Sequence, residues 1–224
     1  GEIRNWHLKQ TLPWSDNGIR LLPMNNFFKY KEQLSEYEDK FNTAVKQFIG
    51  DYPQLISLMA YSLGDLFNIE DYPPVEQIES KFKLSYTIIP VPEAGDFRLD
   101  IGNDIREELE TQYEEAYQQK VETAMSSAWS RLHTTIEHIV VKLNDPRWGE
   151  EESNNPQVYD SFVGNALDLT NLLTSLNITQ DPDLEQARVT LEQAVSGVTP
   201  TMIRQQPHVR EKLMSEVKAL QELI

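Results

Sequence analysis

From Asn103 to Leu143, apolar and aromatic residues recur at steps of three and four: Ile105, Leu109, Tyr113, Tyr117, Val121, Met125, Ala128, Leu132, Ile136, Ile139 and Leu143. Such steps hold side chains on one stripe of an α-helix. No proline or glycine interrupts the run before Asn144-Asp145-Pro146, which reads as a stop. The pattern predicts one helix over 103–143, roughly 60 Å long at its 1.5 Å rise per residue. Its mean step is about 3.8 residues, wider than the 3.5 of a left-handed coiled coil. The helix is therefore expected to be the spine of a helical domain.

A second periodic run follows Asn25-Asn26 and carries Phe27, Tyr30, Leu34, Tyr37, Phe41, Ala44, Phe48 and Tyr52. That spacing is close to a heptad seam and makes this helix the better coiled-coil candidate. Pro53 is expected to end or kink it. A shorter helix from Gln54 to Leu66 should then turn Leu55, Met59 and Leu63 or Leu66 inward. Asp71-Tyr-Pro-Pro74 introduces a short helix to about Lys81. Alternation at Leu84, Tyr86 and Ile88, then at Phe97, Leu99 and Ile101, flanks a turn-rich Pro90–Gly95 segment. It predicts a two-stranded β-hairpin at about 83–101.

Beyond the spine, Asn155-Pro156, Asp181-Pro182 and Thr199-Pro200 each place a capping residue before a proline at the first helical position. Helices are expected from each, and an amphipathic tail from His208 to Ile224 should dock on the body or on a partner. The segment from Thr11 to Pro23, with two prolines and Asn17-Gly18, reads as an irregular loop with a tight turn. Its Trp14, Leu21 and Leu22 are expected to pack on helices. Together these readings predict a mainly α protein, an elongated multi-helix bundle around 103–143 with a small β-hairpin. Without a linker or repeat, 1–224 is expected to be a single helical domain, with 83–101 as an insertion and 199–224 as a helical tail. The opening Gly1–His7 looks like a helix cut open, so the chain is expected to be a fragment lacking its N-terminus.

Charge changes the picture of partners. Twenty Lys and Arg against 36 Asp and Glu give a formal charge of −16. A field of that sign repels phosphate backbones, which disfavours direct nucleic-acid binding. The absence of cysteine removes disulfides, thiolate metal sites and cysteine nucleophiles. No apolar run approaches the ~18 residues of a transmembrane helix. From Glu93 to Glu122 ten acids stand against Arg98, Arg106 and Lys120. Within this run Glu107, Glu108, Glu114 and Glu115 are the candidate partner-binding residues, with a solvated helix face as the plainer reading. Trp148, beside Arg147 in a polar loop, is a further candidate contact. Asp16, Asn17 and Arg20 are candidate loop contacts, or residues that only fix the turn.

Catalytic signatures are missing. The sequence has no phosphate-binding glycine loop and no Gly-x-Ser-x-Gly elbow. His133 and His138 lie five apart, about 140° around a helix, so they do not share a face as a metal-binding pair four apart would. None of the four histidines follows a glutamate by three residues, as a carboxylate-bridged di-metal bundle requires. No enzyme activity, cofactor or metal is expected.

The segments Thr11-Leu-Pro-Trp-Ser-Asp-Asn-Gly-Ile-Arg-Leu-Leu-Pro23, Asp71-Tyr-Pro, Pro90-Val-Pro and Asp96-Phe-Arg-Leu-Asp100 resemble a phage and prophage protein family of unknown function. The resemblance continues through Trp129, Leu143-Asn-Asp-Pro146, Asp160-Ser-Phe-Val-Gly-Asn165 and Leu176-Asn-Ile-Thr-Gln-Asp-Pro182, and spans nearly the whole chain. The chain also resembles the proteins of unknown function that mobile elements and large phages encode near MoxR-type AAA+ ATPases and von Willebrand-A-like proteins. The resemblance implies expression in the cytoplasm of an infected bacterium and brings no catalytic residue with it. The resulting expectation is a non-enzymatic phage accessory protein, a helical scaffold or adaptor that self-associates or serves a partner machine. Its partner would be itself, a phage AAA+ ATPase or a basic host protein. The alternatives are an acidic host-directed inhibitor that mimics DNA or blocks a defence protein, and an accessory factor in phage DNA replication or recombination.

Overall fold

The computed structural model describes residues 1–92, 103–145 and 156–224. Within it, the uninterrupted run from Asn103 to Leu143 forms one α-helix of 41 residues, as its periodicity predicts. In chain order the elements are α1 (Glu2–Gln10), β1 (Leu12–Pro13), β2 (Arg20–Leu21), α2 (Phe27–Leu63), α3 (Val75–Glu79), α4 (Asn103–Leu143), α5 (Pro156–Leu176), α6 (Pro182–Val195), α7 (Pro200–Gln205) and α8 (Pro207–Leu223). Four of these helices begin on proline, whose fixed φ suits the first turn and whose missing N–H is not needed there. The protein is mainly α, with one small two-stranded antiparallel sheet among the described residues.

The chain divides into two compact units, Gly1–Asn26 with Ala94–Ile224, and Phe27–Glu93. Its first boundary falls at the start of a continuous helix, where no linker composition announces it, and its second within the turn-rich Pro90–Gly95 stretch of the sequence.

In the first unit the core lies along the second half of α4. Ala128, Leu132, Ile136 and Ile139 are fully buried there, in one cluster with Phe162 and Leu173 of α5, Leu184 and Leu191 of α6, and Leu213 and Val217 of α8. Burying each such large side chain contributes about 1.5–3 kcal/mol. The C-terminal tail thus docks on the body, with α8 packed against both α4 and α6.

The same unit holds the sheet, in a place the sequence did not signal. β1 and β2 pair antiparallel, Leu12 opposite Leu21 and Pro13 opposite Arg20. The turn between them needs Gly18 at φ +82°, a left-handed conformation that glycine adopts without strain. Leu12 is fully buried in the core cluster. Two-residue strands are too short to leave an alternating pattern, and proline is admissible in so marginal an edge. The expected hairpin at 83–101 is not where the strands are. Residues 83–92 carry no strand, and Tyr86, Ile88 and Ile89 are exposed. Alternation stabilises a strand only when a neighbouring edge pairs with it. The other expected arm, Phe97–Ile101, lies outside the described residues.

In the second unit α2 runs through Pro53 and ends at Leu63, so the proline does not end the helix as one of the two expectations had it. An internal proline costs about 3 kcal/mol, and contacts beside it offset that cost. Phe48 meets Phe82 edge-on at 5.4 Å, and the Tyr52 hydroxyl donates to the Pro73 carbonyl at 3.0 Å. Gly64, at φ +51°, closes the helix. Of the aromatic seam, Tyr30, Leu34 and Tyr52 are buried, while Ala44 is exposed. The expected inward face of the following segment is corrected: Leu55, Met59, Leu63 and Leu66 are all exposed. Their spacing is helical, but no described residue of this unit covers them.

Candidate functional site

The first half of α4 is built unlike the second. From Ile105 to Thr123 no residue is fully buried, although Leu109, Tyr113 and Val121 keep the apolar period. Glu107, Glu108, Glu114 and Glu115 are all exposed. Residues seven apart nearly superpose on a helix face, so the two adjacent pairs repeat about 10.5 Å apart along one flank. The Gln112 amide donates to Glu108 Oε1 at 3.1 Å, a contact one turn apart that holds this carboxylate near the helix. Glu110 is half-buried. Three more of the expected acids, Glu93, Asp96 and Asp100, lie outside the described residues, as does the side chain of Asp104 and the whole of Trp148.

The segment from Thr11 to Pro23 leans on this half of α4. Trp14 meets Tyr117 edge-on at 5.5 Å, Tyr113 stacks on Tyr117 at 6.3 Å, and Lys120 Nζ lies 6.0 Å over the Trp14 ring. Asp16 and Asn17 are exposed at the tip of the β1–β2 turn, where they remain accessible. Arg20 is not. It donates from Nε to the Thr11 hydroxyl at 2.8 Å, and from Nη2 to the carbonyls of Thr11 at 2.7 Å and Leu8 at 3.2 Å. Its role is to hold the turn against the end of α1.

Arg131 of α4 converges on the same end of α1, sharing the Leu8 and Thr11 carbonyls with Arg20. It donates from Nη1 to Lys9 at 2.7 Å, and from Nη2 to Leu8 at 3.0 Å and Thr11 at 2.7 Å. The last carbonyls of a helix lack partners within it, and cations there meet the negative end of the dipole. The two guanidiniums together therefore cap α1 and fix it to the spine. Burial lowers the pKa of both, and for Arg131 the neighbouring Arg20 adds to this. Burial, then Arg20, likewise lowers that of His7, which favours a neutral ring beside the cations. The sequence reading missed Arg131. Its signal was a cation beside the apolar stripe, next to Leu132, in the otherwise weakly charged half of the helix.

A second junction joins α4 to the start of α6. Trp129 Nε1 donates to Asp181 Oδ2 at 3.0 Å, while Asp181 Oδ1 accepts from the backbone N–H of Asp183 at 2.9 Å and Leu184 at 3.2 Å. Asn177 braces the turn from the other side, donating to the Asp181 carbonyl and accepting from its N–H, both at 2.8 Å. Burial works to raise the Asp181 pKa, but the hydrogen bonds from Trp129, Leu184 and Asp183 outweigh it and hold the carboxyl below its ordinary value. Trp129 and the Asn177–Pro182 motif are thus structural.

His133 and His138 are exposed, and His133 Nδ1 lies 3.9 Å from Glu137 Oε1. Among the described residues no group of three or more His, Asp or Glu side chains is placed to hold a metal ion. No helix among them is long and apolar enough to cross a membrane. The accessible features are thus the acidic half of α4, the turn tip and the apolar end of α2.

No protein-family model matches the chain, and neither the curated proteins nor the solved structures searched contain a match.

Proposed function

We propose that this protein works by binding other proteins, as a non-enzymatic helical scaffold or adaptor. The observation that carries the reading is the contrast within α4. Its second half anchors the core, while its first half continues as a helix of about five turns without a fully buried residue and with exposed Glu107, Glu108, Glu114 and Glu115. A helix held rigidly at one end and left accessible at the other is suited to present a surface. Its charge favours a basic partner, whose approach the −16 field would accelerate. With the resemblance noted above, the setting is the cytoplasm of a phage-infected bacterium, and the partner a phage AAA+ ATPase or a basic host protein.

The test is a comparison of captures from infected cells by the wild type and by a variant with Glu107, Glu108, Glu114 and Glu115 all changed to glutamine. The reading expects a protein captured by the wild type, released as salt is raised, and lost with the variant. Equal capture by both would remove the acidic half of α4 from the account.

A further inference from the structure

We propose that the chain pairs with a second copy of itself through the uncharged last third of α2. Tyr52–Gly64 contains no Asp, Glu, Lys or Arg, in a chain of net charge −16. Within that stretch Leu55, Leu58, Met59 and Leu63 share one helix face, and all four are exposed. Tyr61, 92% exposed, lies further round the helix beside Leu58, and Leu66, 84% exposed, lies just past the helix end at Gly64.

At about 200 Å² for a fully exposed residue of this size, the four on the shared face present on the order of 360 Å². That is within the ~300–600 Å² of the largest apolar patch on an ordinary monomer, which is often functional. It is under half of the ~800 Å² that each partner contributes to a standard interface, so the pairing is weak and concentration-dependent.

Charge selects the occupant. Two copies of this chain repel wherever their acidic surfaces meet, and Tyr52–Gly64 is a place where they can touch without apposing like charges. A basic partner would find no carboxylate to pair with between Asp51 and Asp65, and a nucleic acid no cation. Leucine and methionine at helical spacing interdigitate well with their own copies.

This pairing rests on the scaffold reading and adds the surface that would make it bivalent. Partner capture by the acidic half of α4 is measured separately, so either can fail alone. The experiment is sedimentation velocity on the full chain over a range of concentrations, with Leu58→Glu/Met59→Glu as the variant. Both side chains are exposed, so the variant should keep its helical circular dichroism and its melting midpoint.

The expected result is a concentration-dependent dimer for the wild type and at least a tenfold weaker one for the variant. A wild type that stays monomeric throughout overturns the proposal. So does a variant that dimerises equally, or a monomeric wild type that floats with neutral phosphatidylcholine vesicles. Should the double variant misfold, the absence of native cysteine offers a second route. Leu58→Cys should crosslink between copies under mild oxidation much faster than Glu115→Cys, and equal rates overturn the proposal.

Discussion

From Ala124 to Leu143, α4 buries Ala124, Met125, Ala128, Leu132, Ile136, Ile139 and Leu143, while from Ile105 to Thr123 it fully buries nothing. Both halves keep the same step of three and four residues. The difference lies in what surrounds the stripe. The first half carries Glu107, Glu108, Glu110, Glu114, Glu115 and Glu122 around it, and the second substitutes alanines and β-branched residues that let α5 and α8 approach. Periodicity reports which face of a helix is apolar. Whether a partner in the same chain covers that face is decided by the charge density beside it and by the helices available to pack.

Core truncation should separate the halves most strongly. Leu132→Ala removes a fully buried side chain and should cost about 2–5 kcal/mol in chemical denaturation. Leu109→Ala, at the matching position of the first half, should cost less than about 1 kcal/mol. Equal losses would mean that the first half is packed after all.

The clamp on α1 comes next. Arg131→Ala removes three hydrogen bonds to the end of α1, leaving the Leu8 and Thr11 carbonyls to Arg20 alone, and should destabilise by about 1–3 kcal/mol, with faster amide exchange in α1. Arg131→Lys should restore little of this, because one ammonium cannot reproduce the planar fork.

Trp129→Phe removes one hydrogen bond to Asp181, for an expected loss of about 1 kcal/mol. The Asp181 link is also pH-dependent. Its carboxyl pKa is lower in the folded chain than in the unfolded one. The stability it contributes is therefore fully present above the ordinary value and lost as pH falls through the folded one. The gap in melting midpoint between wild type and Asp181→Ala should hold at neutral pH and narrow on acidification below about pH 4. A gap that widens there would contradict the assigned direction.

The smallest effect should come from changing Glu107, Glu108, Glu114 and Glu115 to glutamine. These exposed side chains should move stability by no more than about 0.5 kcal/mol each way, leaving binding as the property they alter.

Much of the fold was legible. The bounds of α4 and the starts of α5, α6 and α7 follow from uninterrupted periodicity and from proline at the first helical position. What was not legible depended on tertiary contact. β1 and β2 are too short to alternate, and their pairing is fixed by Gly18 and by Leu12 entering the core. α2 passes Pro53 because Phe48 and Tyr52 find Phe82 and Pro73 far along the chain. The Leu84–Ile89 alternation, lacking a paired edge among the described residues, forms no strand. At the candidate site, the exposure of the glutamates followed from their type. The commitment of Arg20 to the end of α1 did not, because its carbonyl partners become available only where that helix stops.

Native-state hydrogen exchange along α4 tests the division of the helix most directly. Amides from about Leu132 to Leu143 should exchange only through global unfolding, because their side chains form the core. Amides from about Glu108 to Lys120, helical but without fully buried side chains, should exchange through local opening at rates several orders of magnitude faster. Uniform protection along all 41 residues would contradict the account, since the first half would then be part of the core and not a surface held out for a partner.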